Sequence, residues 1–155
     1  MDKPKTIPPD LQNVVKTDFF ESDEILRVWR FPEGGAVFQE LIEITKCNGI
    51  YSGTKYTYII EPYRKEKKFD EFRKIKVLEL KKENVSKFMN FRLLHKDVKP
   101  TGNGSGSWHA DLYRVEYRKG NQAHFFDFML QETGNTNFSK INLMDFVKSL
   151  EKANG

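Results

Sequence analysis

Two stretches rich in β-branched and aromatic residues flank an Asn-Gly pair and predict a β-hairpin. Residues 36–46 and 50–61 are the two strands, and Asn48-Gly49 is the pair that favours a two-residue type I′ turn. Because the turn decides which residues face each other, it predicts four cross-strand pairs. These pairs are Val37–Ile60, Phe38–Ile59, Gln39–Tyr58 and Leu41–Tyr56. Both faces of the hairpin carry apolar residues, which predicts a position inside a sheet that is covered on both sides.

The same pattern recurs later in the chain, where residues 108–118 and 122–131 flank Gly120-Asn121. A two-residue turn at this point brings aromatic residues together on one face and places opposite charges across from each other on the other face. One register satisfies both conditions, and this agreement supports a second hairpin. The predicted pairs are Tyr117–His124, Val115–Phe126, Tyr113–Phe128 and Arg114–Asp127.

Two further strands are predicted outside the hairpins. Residues 25–31 are mostly apolar, with β-branched and aromatic types, and the run stops at Pro32. Residues 75–80 form the other strand. Because residues 63–99 contain neither Gly nor Pro, one long helix through this strand and the segment after it is the alternative.

Apolar residues at helical spacing predict three helices. The first begins at Asp10 as N-cap and ends near the acidic cluster 21–24, the second begins at Asn84, and the third begins at Ser139. The stripes that would face the core are Leu11, Val14, Val15 and Phe19 in the first helix, Val85, Phe88, Met89 and Arg92, widened by Phe91, in the second, and Ile141, Met144 or Asp145, Val147 or Lys148, and Leu150 in the third.

The summed pattern predicts an α+β fold. We expect an antiparallel sheet of about six strands built on two β-hairpins, with two or three helices packed mainly on one face. Residues 1–9 hold three of the six prolines and are predicted to be a flexible leader, followed by a single domain over residues 10–155. The Gly- and Ser-rich run 100–107 is predicted to be a flexible loop.

Composition agrees with a folded, water-soluble domain. Of the 155 residues, 38% are hydrophobic, which is too many for a disordered chain, and 31% are charged. No run approaches the roughly 18 apolar residues of a membrane-spanning helix. The sequence predicts a cytoplasmic protein by default, or an exported or lipid-anchored one if Met1 replaces a removed signal peptide. A single cysteine, Cys47, excludes a disulfide within one chain and a cysteine-based zinc site.

Positive charge is concentrated in one region of the chain. Residues 63–99 carry 13 Lys and Arg against 6 Asp and Glu, whereas the other residues have a net charge of −3. Within this region, segment 63–76 mixes cations with aromatic residues, as surfaces that bind single-stranded nucleic acid do. A solvated charged connection is the favoured interpretation, because acidic residues interrupt the segment. The candidate ligand- or partner-binding residues are Tyr63, Arg64, Lys67, Lys68, Arg73, Lys74, Trp108 and His109.

Catalytic and metal-binding motifs are each rejected on spacing or context. Residues 102–106 resemble a phosphate-binding loop in glycine content only, since no Lys-Ser/Thr end and no helix follows. The pattern of alternating faces separates His124 from Asp127, and His109 lies far from His124 along the hairpin. The sequence therefore predicts no metal site, no cofactor and no catalytic residue.

Six strand aromatics are candidates for lining a ligand groove, although packing in the core is the favoured interpretation. They are Trp29, Tyr56, Tyr58, Trp108, Tyr113 and Tyr117. The leading hypothesis for function is a non-catalytic binding or protein-interaction module for an unknown protein or small-molecule ligand. Nucleic-acid binding through residues 63–76 is the first alternative, and a hydrolase or isomerase that uses His109, His124 and nearby carboxylates is the second.

Overall fold

A computed structural model describes residues 3–32, 37–59, 75–89 and 111–130. These residues form one antiparallel sheet of six strands in the order β4-β3-β2-β1-β5-β6. The strands are β1 (Glu24–Phe31), β2 (Phe38–Cys47), β3 (Ile50–Ile59), β4 (Lys76–Glu79), β5 (Asp111–Lys119) and β6 (Gln122–Leu130). The first strand in the chain lies in the middle of the sheet and joins the two hairpins.

The predicted hairpin around Asn48-Gly49 is confirmed. Both turn residues have positive φ, 53° and 79°, as a type I′ turn requires, and glycine adopts the second value without steric cost. The pairs Phe38–Ile59, Gln39–Tyr58 and Leu41–Tyr56 have the predicted register. The fourth predicted pair includes Ile60, which lies outside the described residues.

The second hairpin is confirmed in the same way. Its turn is Gly120-Asn121, closed by the pair Lys119–Gln122, and only the first turn residue has positive φ, which fits the type II′ class. All four predicted pairs are present: Tyr117–His124, Val115–Phe126, Tyr113–Phe128 and Arg114–Asp127.

The predicted α+β class is wrong. Strands make up 57% of the described residues, and one α-helix, α1 (Lys82–Met89), accompanies them in this part of the chain. The predicted order of a strand followed by a helix is confirmed for β4 and α1, although the helix begins before Asn84, so this residue is not its N-cap. The helix predicted from Ser139 lies outside the described residues.

The helix predicted from Asp10 is also wrong. Its place is taken by a short 3-10 helix, Pro9–Leu11, and by turns. Residues 3–22, which we call the strap, lie across one face of the sheet. Arginines on this face donate to main-chain carbonyls of the strap: Arg27 to Thr17 at 2.7 Å and Arg118 to Phe19 at 2.7 Å. These tertiary bonds hold the segment in a non-helical path, although its apolar residues have helical spacing.

The core is built on both faces of the sheet. On the strap face, Leu11 and Val15 pack with residues of three strands: Trp29, Leu41, Tyr56 and Tyr58. The opposite face buries Leu26, Val28, Ile42, Ile44 and Val115, and α1 adds Val85 and Met89 over β3.

The described helices are both too short to cross a membrane. The mobility predicted for residues 1–9 stays a prediction, and residues 3–9 lie against the sheet as part of the strap. The predicted loop 100–107 lies outside the described residues.

Candidate functional site

The binding residues predicted from the sequence all lie outside the described residues. They are Tyr63, Arg64, Lys67, Lys68, Arg73, Lys74, Trp108 and His109. Only the end of the basic segment 63–76 is described, and there Lys76 is exposed on the outer strand β4. Nucleic-acid binding through this segment and catalysis through His109 therefore stay predictions.

The described histidine, His124, lies in an aromatic setting. Its half-buried ring is 5.0 Å from the ring of Phe126 and faces Tyr117 across the hairpin. Asp127 points to the opposite face, where its carboxylate lies 3.5 Å from the Arg114 guanidinium. In the described part of the chain, no three His, Cys, Asp or Glu side chains lie close enough together to hold a metal ion.

A groove of about 660 Å³ lies between the strap and the ends of β2 and β3. Its lining consists of Lys5, Thr6, Ile7, Pro8, Pro9, Asp10, Gln12, Gln39, Tyr58 and Ile59. Most of this surface is apolar, and its lining includes Ile7 and two prolines. The strap forms one wall of the groove and the sheet forms the other.

Local sequence fixes the wall that the strap contributes. Pro8 has φ −56° and ψ 147°, the extended polyproline conformation. The 3-10 turn follows it, and the Leu11 N–H donates to the Pro8 carbonyl at 2.9 Å. The side chain of Leu11 is fully buried beneath this turn and anchors it to the sheet. Gln12 bonds the two sides of the turn to each other, because its side-chain Nε2 donates to the Ile7 carbonyl at 3.3 Å.

Two polar side chains of the sheet wall are bonded to each other. The Tyr58 hydroxyl donates to Gln39 Oε1 at 3.0 Å, and the Tyr58 ring meets Trp29 edge to face at 6.5 Å. Burial raises the pKa of Tyr58, so its hydroxyl stays protonated and remains the donor. This bond occupies Oε1 of Gln39. The side-chain amide nitrogen of Gln39 therefore remains as a donor for a ligand, since no described residue accepts a hydrogen bond from it.

Lys5 supplies the positive charge in the lining. Its ammonium lies 5.5 Å from the ring centroid of Trp29 and 5.6 Å from that of Phe31. The main chain of Lys5 is fixed, because its N–H donates to Glu116. The same carboxylate accepts from the Trp29 indole at 2.7 Å and from Arg114 at 3.1 Å, so the charge of Glu116 is shared among several donors.

A second polar cluster lies on the opposite face, near the turns of both hairpins. The buried carboxylate of Glu24 accepts from the Tyr51 hydroxyl at 2.6 Å and, with its other oxygen, from the Tyr117 hydroxyl. Burial and this hydrogen bond raise the pKa of Tyr51 to about 12, and the same causes raise the pKa of Tyr117. Each oxygen has a donor, so the cluster satisfies a buried charge and stabilises the fold.

Sequence reasoning found part of the groove and missed the rest. The register of the first hairpin predicted that Gln39 faces Tyr58, and Tyr58 was one of the six candidate aromatics. Trp29, Tyr56, Tyr113 and Tyr117 are buried in the core, as the favoured interpretation predicted. The wall made by Lys5 to Gln12 was missed, because this stretch was predicted to be a flexible leader and the start of an amphipathic helix. Its one local signal is Pro8-Pro9, which favours a stiff extended chain.

Comparison of the chain with protein-family models, with curated proteins and with solved structures finds no match.

Proposed function

We propose that the protein is a non-catalytic binding module and that the groove between the strap and β2–β3 is its site for a small ligand. The observation that carries this proposal is an apolar groove of about 660 Å³ with a few polar groups held in place. Binding sites for small molecules occupy roughly 300–1,000 Å³ and combine apolar walls with a small number of oriented donors and acceptors.

The walls support binding because contacts outside the groove hold them. Leu11 is buried under the strap wall, and the Lys5 main chain is bonded to Glu116. Tyr58 is fixed on the sheet by its bond to Gln39 and by the ring of Trp29. A ligand that enters such a groove loses little affinity to the ordering of protein side chains.

The polar groups of the groove suit recognition better than proton transfer. A general base works best with a pKa near the working pH, whereas burial raises the pKa of Tyr58 above its ordinary value. Gln39 contributes a carboxamide, which does not titrate, and the Lys5 ammonium lies over two aromatic rings. These groups can orient and hold a ligand by hydrogen bonding and charge.

A neutral fluorescent probe tests the groove. We expect Nile red to bind with a rise in fluorescence, and we expect Thr6→Trp, which adds bulk to the lining, to weaken binding about tenfold or more, or about 1.4 kcal/mol. Lys16→Trp is the matched control, because Lys16 is an exposed residue of the same strap outside the lining. Nile red binding that Thr6→Trp leaves unchanged would contradict the proposal, as would the absence of binding.

A further inference from the structure

We infer that the groove selects an apolar ligand that carries a carboxylate, which the Lys5 ammonium and the Gln39 side-chain amide hold together. This inference rests on the proposed binding function and names the chemistry of its ligand.

The Lys5 ammonium has hydrogen-bonding capacity that no described side chain uses. In the described part of the chain its ammonium faces only the rings of Trp29 and Phe31, and it makes no ion pair there. Aromatic faces attract a cation and leave part of its hydrogen-bonding capacity unused, since an ammonium has three N–H donors. Lys5 is half-buried, so an anion that reaches it would bind with less screening than at an open surface. A negatively charged acceptor on a ligand would supply the partner that the Lys5 ammonium lacks among the described residues.

The bond from Tyr58 determines which group of the Gln39 side-chain amide remains for a ligand. A carboxamide offers both a donor and an acceptor, and by itself it does not select between ligand types. Here the Tyr58 hydroxyl donates to Oε1 at 3.0 Å, so this oxygen is already used as an acceptor. Gln39 therefore presents N–H groups, which require an acceptor on the ligand. A carboxylate has two oxygens and can accept from Lys5 and Gln39 at once.

One acidic residue in the described lining, Asp10, opposes this preference. Its carboxylate repels a ligand carboxylate, so it sets the balance of charge in the groove together with Lys5. The inference therefore requires that Lys5 and Gln39 outweigh Asp10.

The apolar lining determines the rest of the ligand. Ile7, Pro8 and Pro9 offer no donors from their side chains, so they favour a hydrocarbon body. Each buried methylene contributes about 0.8 kcal/mol, which is about a fourfold gain in affinity. We expect decanoate to bind more tightly than octanoate by roughly this factor for each added methylene.

Displacement of Nile red by three ten-carbon probes separates the two proposals. We expect decanoate to compete better than decanol by about tenfold, the gain of one charge-assisted contact of about 1.4 kcal/mol, and decylamine to compete least. Lys5→Gln should remove most of the advantage of decanoate and leave decanol unchanged. Lys16→Gln is the matched control, with far-ultraviolet circular dichroism to check the fold of each variant.

The possible results are distinct. Equal competition by decanoate and decanol overturns the carboxylate inference and leaves the groove proposal standing. Competition by both probes that Thr6→Trp does not weaken overturns the groove proposal itself. If Lys5→Gln fails to fold, Gln39→Leu decides the matter: weaker decanoate binding with unchanged decanol binding supports the inference, and unchanged decanoate binding overturns it.

Discussion

Buried guanidinium groups hold the strap on the sheet by donating to its main chain. Arg27 donates to Glu43 at 2.8 Å and to the Thr17 carbonyl, and its guanidinium lies 5.6 Å from the ring centroid of Phe19. Arg118 donates to Phe19, Ser22 and Gly120 carbonyls. The planar guanidinium carries several donors in fixed directions, so one side chain can bond two or three carbonyls. A lysine has no such geometry, and this explains why arginine suits these positions.

The tyrosines around Glu24 should make stability depend on pH in the alkaline range. The pKa of Tyr51 rises from 10.0 to about 12, because burial and Glu24 both disfavour the phenolate. Since the folded-state pKa lies above the unfolded value, this contribution to stability is fully present below pH 10 and is lost as pH rises through about 12. We expect denaturant midpoints to fall over that interval, and the fall to be smaller in Tyr51→Phe.

Carbon NMR of labelled tyrosine rings provides the control for this prediction. Glu24→Gln removes the negative charge, so the pKa of Tyr51 should move back toward 10. The pKa of Tyr58 should not move, because burial alone raises it. An unchanged pKa of Tyr51 in Glu24→Gln would show that the carboxylate does not contribute.

At the scale of elements, the strands could be predicted and the strap could not. Hairpin registers follow from residues close in sequence, because Asn48-Gly49 and Gly120-Asn121 each fix the pairs on both sides of the turn. The strap takes its path from Arg27 and Arg118, and nothing local to residues 10–22 records those partners. Leu11, Val15 and Phe19 were correctly predicted to be buried, but their spacing was attributed to a helix. Val14, predicted to lie on the same stripe, is 39% exposed.

The groove was beyond prediction for the same reason. Gln39 and Tyr58 meet across a hairpin, and their pairing follows from the turn. Lys5 reaches Trp29 and Glu116 across long separations in the chain, and such contacts leave no periodic pattern in a single sequence. The pairing of Gln39 with Tyr58 could therefore be predicted from local rules, whereas the position of Lys5 depended on tertiary packing.

The contact between α1 and β3 depends on the absence of a side chain at Gly53. A Cβ there would lie 2.9 Å from Val85 Cγ2, 3.0 Å from Leu80 Cδ1 and 3.2 Å from Ile44 Cγ1. We expect Gly53→Ala to destabilise the protein by about 1–3 kcal/mol, because Val is stiff and the core is already filled. Urea denaturation measures the change.

A double-mutant cycle identifies the cause. If the clash with Val85 is responsible, Gly53→Ala should cost less in the presence of Val85→Ala than in its absence. Ser52→Ala, at the exposed neighbouring position, is the control and should have little effect. Additive costs in the cycle would argue that the helix does not pack on Gly53 as described.

At the scale of the whole molecule, the strap is part of the core and not an appendage. Leu11 is 0% exposed and packs among Trp29, Leu41 and Tyr58, whereas Val14 in the same segment is 39% exposed. We therefore expect Leu11→Ala to cost about 2–5 kcal/mol of unfolding free energy. Val14→Ala should change it by no more than about 0.5 kcal/mol. Equal, small effects in thermal and urea denaturation would mean that the strap is not docked in solution.

The central position of β1 sets the order in which the sheet can be completed during synthesis. Its partner β2 follows at once, but its other partner, β5, begins at Asp111, 80 residues after β1 ends at Phe31. At roughly 5–20 residues per second, a ribosome needs about 4–16 s to make that stretch. During this time β1, an inner strand of the finished sheet, is an edge strand of the part that has already been made. Its unpaired N–H and C=O groups then form a template that another growing chain can pair with.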